Sequence, residues 1–192
     1  LEGHGSRIVI FEALDAIEKT TLSRRRDPVA RGDIHIQGPW RVEFESARGG
    51  PAVPIESDIL FDWSQSANSA LRGYSGKAVY TTRFNWTDKE MASVRICLGE
   101  LHNLAVVFLN GVNVGTSWVP EQKLDISSAL REGENTLRIE VFNTWANRLI
   151  ADHAAPEDQR YTFTTAPYRL GDAEPLPAGL LGPVLIQYPL SQ

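Results

Sequence analysis

Leu104-Ala-Val-Val-Phe-Leu-Asn-Gly-Val-Asn-Val-Gly-Thr116 is the stretch that decides the fold. An apolar run ends at Leu109, Asn110-Gly111 follows, and Val112 to Thr116 alternate apolar with polar or small residues. Asn-Gly supplies the two positive φ angles of a type I′ turn, whose twist matches that of paired antiparallel strands. The pair predicts a two-residue hairpin, and a fixed hairpin register decides which face of each strand is buried. Leu104 to Leu109 is apolar on both faces, the pattern of a central strand covered twice.

The same periodicity extends outward in both directions. Trp40, Val42 and Phe44 alternate with Arg41, Glu43 and Glu45; Ala78, Tyr80, Thr82, Phe84 and Trp86 share one face, and Val79, Thr81 and Arg83 the other. Val94, Ile96 and Leu98 follow, Leu137, Ile139 and Val141 face the core from Thr136 to Asn143, and Val184 to Tyr188 is the last strand. Such strands, spaced by turn residues, predict an all-β protein: a two-sheet antiparallel β-sandwich of jelly-roll type with about eight strands. Leu124 to Leu130 reads as one helical turn with Asp125 or Ser127 as cap, Gly133 ends it, and Glu134-Asn135 turns the chain into the next strand.

Composition fits one such domain. A chain of 192 residues with 42% hydrophobic content can bury one sizeable core. A net charge of −5 without a broad basic surface argues against nucleic acid as a partner. No apolar run approaches the roughly 18 residues of a membrane span, and the first residues lack the charged and apolar regions of a signal peptide. Cys97, the single cysteine, excludes an internal disulfide and reads as a buried, inert thiol on a strand.

Residues 1–31 read as an N-terminal extension or the tail of a preceding domain, and residues 32–192 as the sandwich. Within the extension, Leu1 to Ser6 resembles a cloning remnant or the end of an upstream segment, Arg7 to Phe11 a short strand, and Lys19 to Pro28 a polar linker. The strand pattern stops between Trp145 and Gly182, apart from a candidate strand at Tyr161 to Thr165. An irregular insertion of this length in a compact domain is commonly functional or interface-forming.

An ordered set of motifs now carries a resemblance. Trp40 at a strand start, Tyr74-Ser-Gly-Lys-Ala-Val-Tyr-Thr-Thr-Arg-Phe84, Leu98-Gly-Glu through Asn110-Gly-Val-Asn-Val-Gly115, Leu124-Asp-Ile126 and Gly133-Glu-Asn-Thr-Leu137 together resemble the galactose-binding-like jelly-roll domain of glycoside hydrolases, over roughly residues 38 to 190. Asn143 to Asp152 and Gly179-Leu-Leu-Gly-Pro-Val184 look most like the C-terminal sandwich of family 106 enzymes, the α-L-rhamnosidase type. The sugar-binding domain of family 2 is similar up to Asn143. Trp118-Val-Pro-Glu121 departs from the double proline expected there. The resemblance implies a non-catalytic module that packs on the other domains of a parent glycoside hydrolase and takes carbohydrate as a further partner, the alternative being a free-standing lectin-like module. It implies a catalytic pair of carboxylates housed in a separate barrel domain; the compartment is left open by the sequence, a secreted or periplasmic parent being the expectation.

No catalytic residue is assigned within the chain. Glu43, Glu45, Glu100, Asp125, Glu140 and Asp152 have the right chemistry for glycosidic cleavage, and nothing in the sequence singles one out. His4, His35, His102 and His153 show no metal-ligand spacing. No cofactor is evident; structural calcium, which such domains hold through carbonyls and a carboxylate, stays open. Trp63, Tyr74, Trp118, Trp145 and Tyr168 lie outside the clean alternation, where aromatic rings serve as sugar platforms. Trp118, Trp145, Asn147, Arg148, Asp152 and Tyr168 are therefore the candidate carbohydrate-binding or domain-interface residues. For Arg148, Asp152 and Trp145 the competing expectation is structural: an ion pair pinning the loop and an indole plugging the sandwich edge.

Overall fold

The computed structural model describes residues 31–87, 92–164 and 173–190. The sequence readings on residues 1–30, the Arg7 to Phe11 strand among them, and on Tyr168 lie outside the described residues.

Asn110 and Gly111 take φ values of 52° and 82°, and Leu109 pairs with Val112 across them, so the predicted two-residue hairpin forms. It joins β7 (Leu104–Leu109) to β8 (Val112–Ser117) at one edge of a six-stranded antiparallel sheet. The sheet continues inward through β10 (Gly133–Phe142), β4 (Lys77–Trp86) and β2 (Trp40–Phe44) to β3 (Ile55–Ser57). The opposing sheet has four strands, in the order β1 (Arg31–His35), β12 (Leu185–Pro189), β5 (Arg95–Cys97) and β9 (Lys123–Asp125). A two-stranded ribbon of β6 (Glu100–His102) and β11 (Gly179–Gly182) completes the sandwich. Two short helices, α1 (Ser69–Arg72) and α2 (Ala146–Ala154), lie in the connections.

Alternation dictates the core. Trp40, Val42, Ala78, Tyr80, Trp86, Ala105, Val107, Leu109, Leu137, Ile139 and Val141 face inward from the large sheet and meet Ile96 and Ile186 from the small one. Trp63 and Tyr74 lie in connections between strands, as expected, yet each is wholly buried, and Trp63 Nε1 donates to the Tyr80 hydroxyl at 2.7 Å. A buried indole needs such a partner for its N–H.

Several readings need correction. Leu104, Val106 and Phe108 are only half-buried, so β7 is covered by the core on one face alone. On its other face the Arg138 guanidinium lies 3.8 Å from the Phe108 ring centre, and Arg138 also pairs with Glu140. On this face Phe108 is thus covered by a guanidinium rather than by a second layer. Cys97 sits in β5 as expected but is half-buried. Twelve strand segments form among the described residues, because β1, β3, β6, β9 and β11 are pieces of three to five residues too short to show periodicity. Leu124 to Leu130 opens as β9 and continues as a hydrogen-bonded turn, in which the Leu130 N–H donates to the Ile126 carbonyl at 3.0 Å and Asp125 Oδ1 accepts from the Ser127 N–H at 2.9 Å. Residues 161–164 form no strand. No helix among the described residues is long and apolar enough to cross a membrane.

Candidate functional site

The large surprise lies after β10. Ala146–Ala154 is an amphipathic helix whose inward face is polar: Asn147, Arg148 and Asp152 are buried beside Ile150. Hydrophobic periodicity cannot reveal a helix that buries polar side chains, so the sequence reading saw an irregular insertion.

Each of these polar groups is spent within the domain. Asn147 donates from Nδ2 to the Leu176 carbonyl and accepts from the Leu176 N–H, both at 2.8 Å, clamping segment 173–178 to α2. Arg148 Nε lies 3.0 Å from Asp152 Oδ1, close enough for Coulombic pairing, though the N–H is not aimed to complete a hydrogen bond. Asp152 Oδ2 accepts from the Tyr161 N–H at 3.1 Å, the Thr162 N–H at 2.8 Å and the Thr162 hydroxyl at 2.6 Å. The buried carboxylate is thereby compensated, as it must be. Arg148 and Asp152 pair with each other and Asp152 holds the following loop, as the structural expectation has it, while Asn147 holds a second segment.

What this brace presents outward is aromatic. Trp145 is 54% exposed, Tyr161 58% and Phe163 90%. Trp145 therefore does not plug the sandwich edge. The Arg148 guanidinium lies 4.9 Å from the Tyr161 ring centre, and that of Arg48 lies 5.5 Å from Trp145. Leu149, Tyr161, Thr162 and Phe163 also line an open depression of about 770 Å³ with His153 and Arg160. Tyr161, Phe163 and Arg48 escaped the sequence reading because nothing marked α2 as the scaffold beneath them.

Trp118 stands apart from this group. Pairing of Ala105 with Ser117 and of Leu104 with Phe142 places Trp118, just past β8, and Trp145, shortly past β10, beyond the same end of the six-stranded sheet, with β7 between those two strands. Trp118, 68% exposed, lines a hollow of about 290 Å³ with Glu100, His102 and Asn103. The hairpin register alone would have brought Trp118 to the Leu104 end of β7, and so next to His102-Asn103.

The carboxylates considered for catalysis each have a local partner. Glu43 and Glu45 pair with Arg41 and Arg48 at 2.9 and 2.8 Å, Glu100 with His102 at 3.1 Å, and Glu140 with Arg138. Asp125, hydrogen-bonded by the Ser127 hydroxyl and N–H, has its pKa lowered. Among the described residues no three His, Cys, Asp or Glu side chains gather as a metal site.

Comparison with known proteins bears on what carries this geometry. Residues 61–173 match the family described as glycosyl hydrolase 2 galactose-binding domain-like. The chain belongs to that family. A rhamnosidase from Novosphingobium sp. PP1Y contains a segment 42% identical that superposes with a TM-score of 0.74, covering 86% of this chain and 16% of that enzyme. A Formosa agariphila protein carrying the name beta-glucuronidase is 33% identical over 182 residues, 80% of this chain and 15% of its own length. The beta-D-glucuronidase of Dictyoglomus thermophilum shares the fold at 17% identity and a TM-score of 0.57, covering 85% of this chain and 29% of that one. This galactose-binding-like chain thus spans about a sixth of the length of the Novosphingobium and Formosa relatives.

Proposed function

We propose that this chain is a non-catalytic β-sandwich module of a multidomain glycoside hydrolase of the α-L-rhamnosidase type, packed on the other domains of its parent through the surface of Trp145, Tyr161 and Phe163. The observation that carries the reading is coverage: most of the chain aligns with a small share of much longer relatives, the Novosphingobium rhamnosidase among them. The aromatic surface supports it, since three exposed rings gathered beside a buried ion pair are the usual mark of a face that meets a partner.

Expression of the complete gene product tests this. It should extend several hundred residues beyond this chain and hydrolyse an aryl α-L-rhamnoside, whereas the 192-residue chain alone should not. Joint replacement of Trp145, Tyr161 and Phe163 by Ser should lower the melting midpoint of the full protein and leave that of the isolated module nearly unchanged. A reading frame confined to about these 192 residues, or turnover by the module alone, would overturn the proposal.

A further inference from the structure

The hollow at Trp118 is built from two segments. On one side runs β6, whose pairing with β11 fixes Glu100 opposite Gly182 and His102 opposite Gly179. Glu100 and His102, two apart on one strand, share a face, and His102 Nε2 lies 3.1 Å from Glu100 Oε1. Exposed Asn103 follows directly. On the other side, the Trp118 to Gln122 loop is held by one side chain: Gln122 Oε1 accepts from the Trp118 N–H at 3.0 Å, and Gln122 Nε2 donates to the Thr116 carbonyl at 2.9 Å. Glu121 takes a φ of 58° in that loop, a left-handed conformation that side chains rarely adopt. The indole is therefore presented by a fixed backbone rather than left loose, and preorganisation of an exposed ring lowers the entropic cost of binding.

The lining chemistry selects a ligand class. An indole offers a flat face for the C–H side of a pyranose, a carboxylate accepts from hydroxyls, and imidazole and carboxamide groups both donate and accept. A hollow of about 290 Å³ has room for one ring. Glu100 and Glu121 line it, and no Lys or Arg does. Two carboxylates without a cation disfavour an anionic ligand. We propose that this hollow is a subsite for a single neutral pyranose and that it rejects uronic acids. The proposal rests on reading the chain as a glycoside hydrolase module, and it separates Trp118 from the interface aromatics.

Calorimetric titration and saturation-transfer NMR of the 192-residue chain with methyl α-L-rhamnoside, methyl β-D-galactoside and methyl β-D-glucuronide test it. At least one neutral glycoside should bind, with a Kd on the order of 1 to 10 mM. The glucuronide should bind at least about tenfold more weakly than that glycoside. Trp118→Ala and, independently, His102→Ala should each weaken binding about tenfold or more, while Ile59→Ser, an exposed apolar residue elsewhere, should not. Absence of saturable binding by both neutral sugars, equal binding of the glucuronide, or undiminished binding by a folded Trp118→Ala variant would overturn the subsite. A silent titration beside an intact, active parent removes this site alone; a reading frame confined to this chain removes the module reading instead.

Discussion

Asn110 Nδ2 donates to Asn135 Oδ1 at 2.7 Å, tying the tip of the β7–β8 hairpin to the start of β10. The same Asn110 amide donates to the Ala129 carbonyl at 2.8 Å, and its oxygen accepts from the Thr136 N–H at 3.0 Å. Asn135, completely buried, donates to the Arg131 and Gly133 carbonyls and accepts from the Arg131 N–H. Two carboxamides thus satisfy the backbone of a turn that has no strand partner of its own.

That pairing gives the first prediction. Replacing Asn110-Gly111 by Ala-Ala should destabilise the domain by about 1 to 3 kcal/mol, since alanine resists positive φ and the Asn110 amide is lost. Asn135→Ala should cost about as much or more, because it strands several buried backbone groups. Urea denaturation of both variants measures this; unchanged midpoints would show that the turn holds without its side chains.

The contrast between these asparagines and α2 explains what was legible from residues alone. Asn110-Gly111 and the alternating strands β2, β4, β7 and β10 declare themselves because their pattern is local or strictly periodic. Asn135, read as a turn residue, instead sits inside β10 and acts through partners at Arg131 and Asn110 that only the fold brings near. α2 stayed hidden because Arg148 and Asp152 are buried as an ion pair on its inward face, which inverts the usual apolar stripe. Among the candidate residues, Asn147, Arg148 and Asp152 are buried and make contacts within the domain, whereas the exposed indoles Trp118 and Trp145 line different hollows.

The brace itself is testable. Asp152→Ala leaves the buried Arg148 guanidinium unpaired and frees the Tyr161 and Thr162 amides at once, a loss of about 3 to 5 kcal/mol. Limited proteolysis should then cut within residues 155–164, well before the β-sandwich unfolds. A variant as protease-resistant as the parent would mean that segment is held by other contacts.

Trp40 anchors the opposite side of the core, buried on β2 with its ring centre 6.4 Å from that of Tyr80 in an edge-to-face arrangement. Trp40→Ala should cost about 3 to 5 kcal/mol by lost burial and the cavity left behind. Thermal and chemical denaturation should agree on that loss, and a change within error would mean that the surrounding side chains collapse into the space.

Tyrosine burial should set the alkaline limit of stability. Burial pushes the Tyr74 hydroxyl from 10.0 up to about 12, and it raises Tyr80 as well. Tyr74 donates to the Lys77 carbonyl at 2.6 Å, so it is held neutral where the unfolded chain would ionise. Above about pH 10 the unfolded state therefore releases a proton that the folded state keeps. Stability is fully present below that pH and falls as pH rises toward the folded-state value, by up to about 1.4 kcal/mol per pH unit for each such tyrosine. Tyr74→Phe should be less stable at neutral pH through the lost hydrogen bonds to Lys77 and Glu45, yet show a shallower decline between pH 10 and 12. Denaturation curves across that window decide the matter: parallel declines in the two proteins would mean that the Tyr74 hydroxyl titrates alike in the folded and unfolded chains.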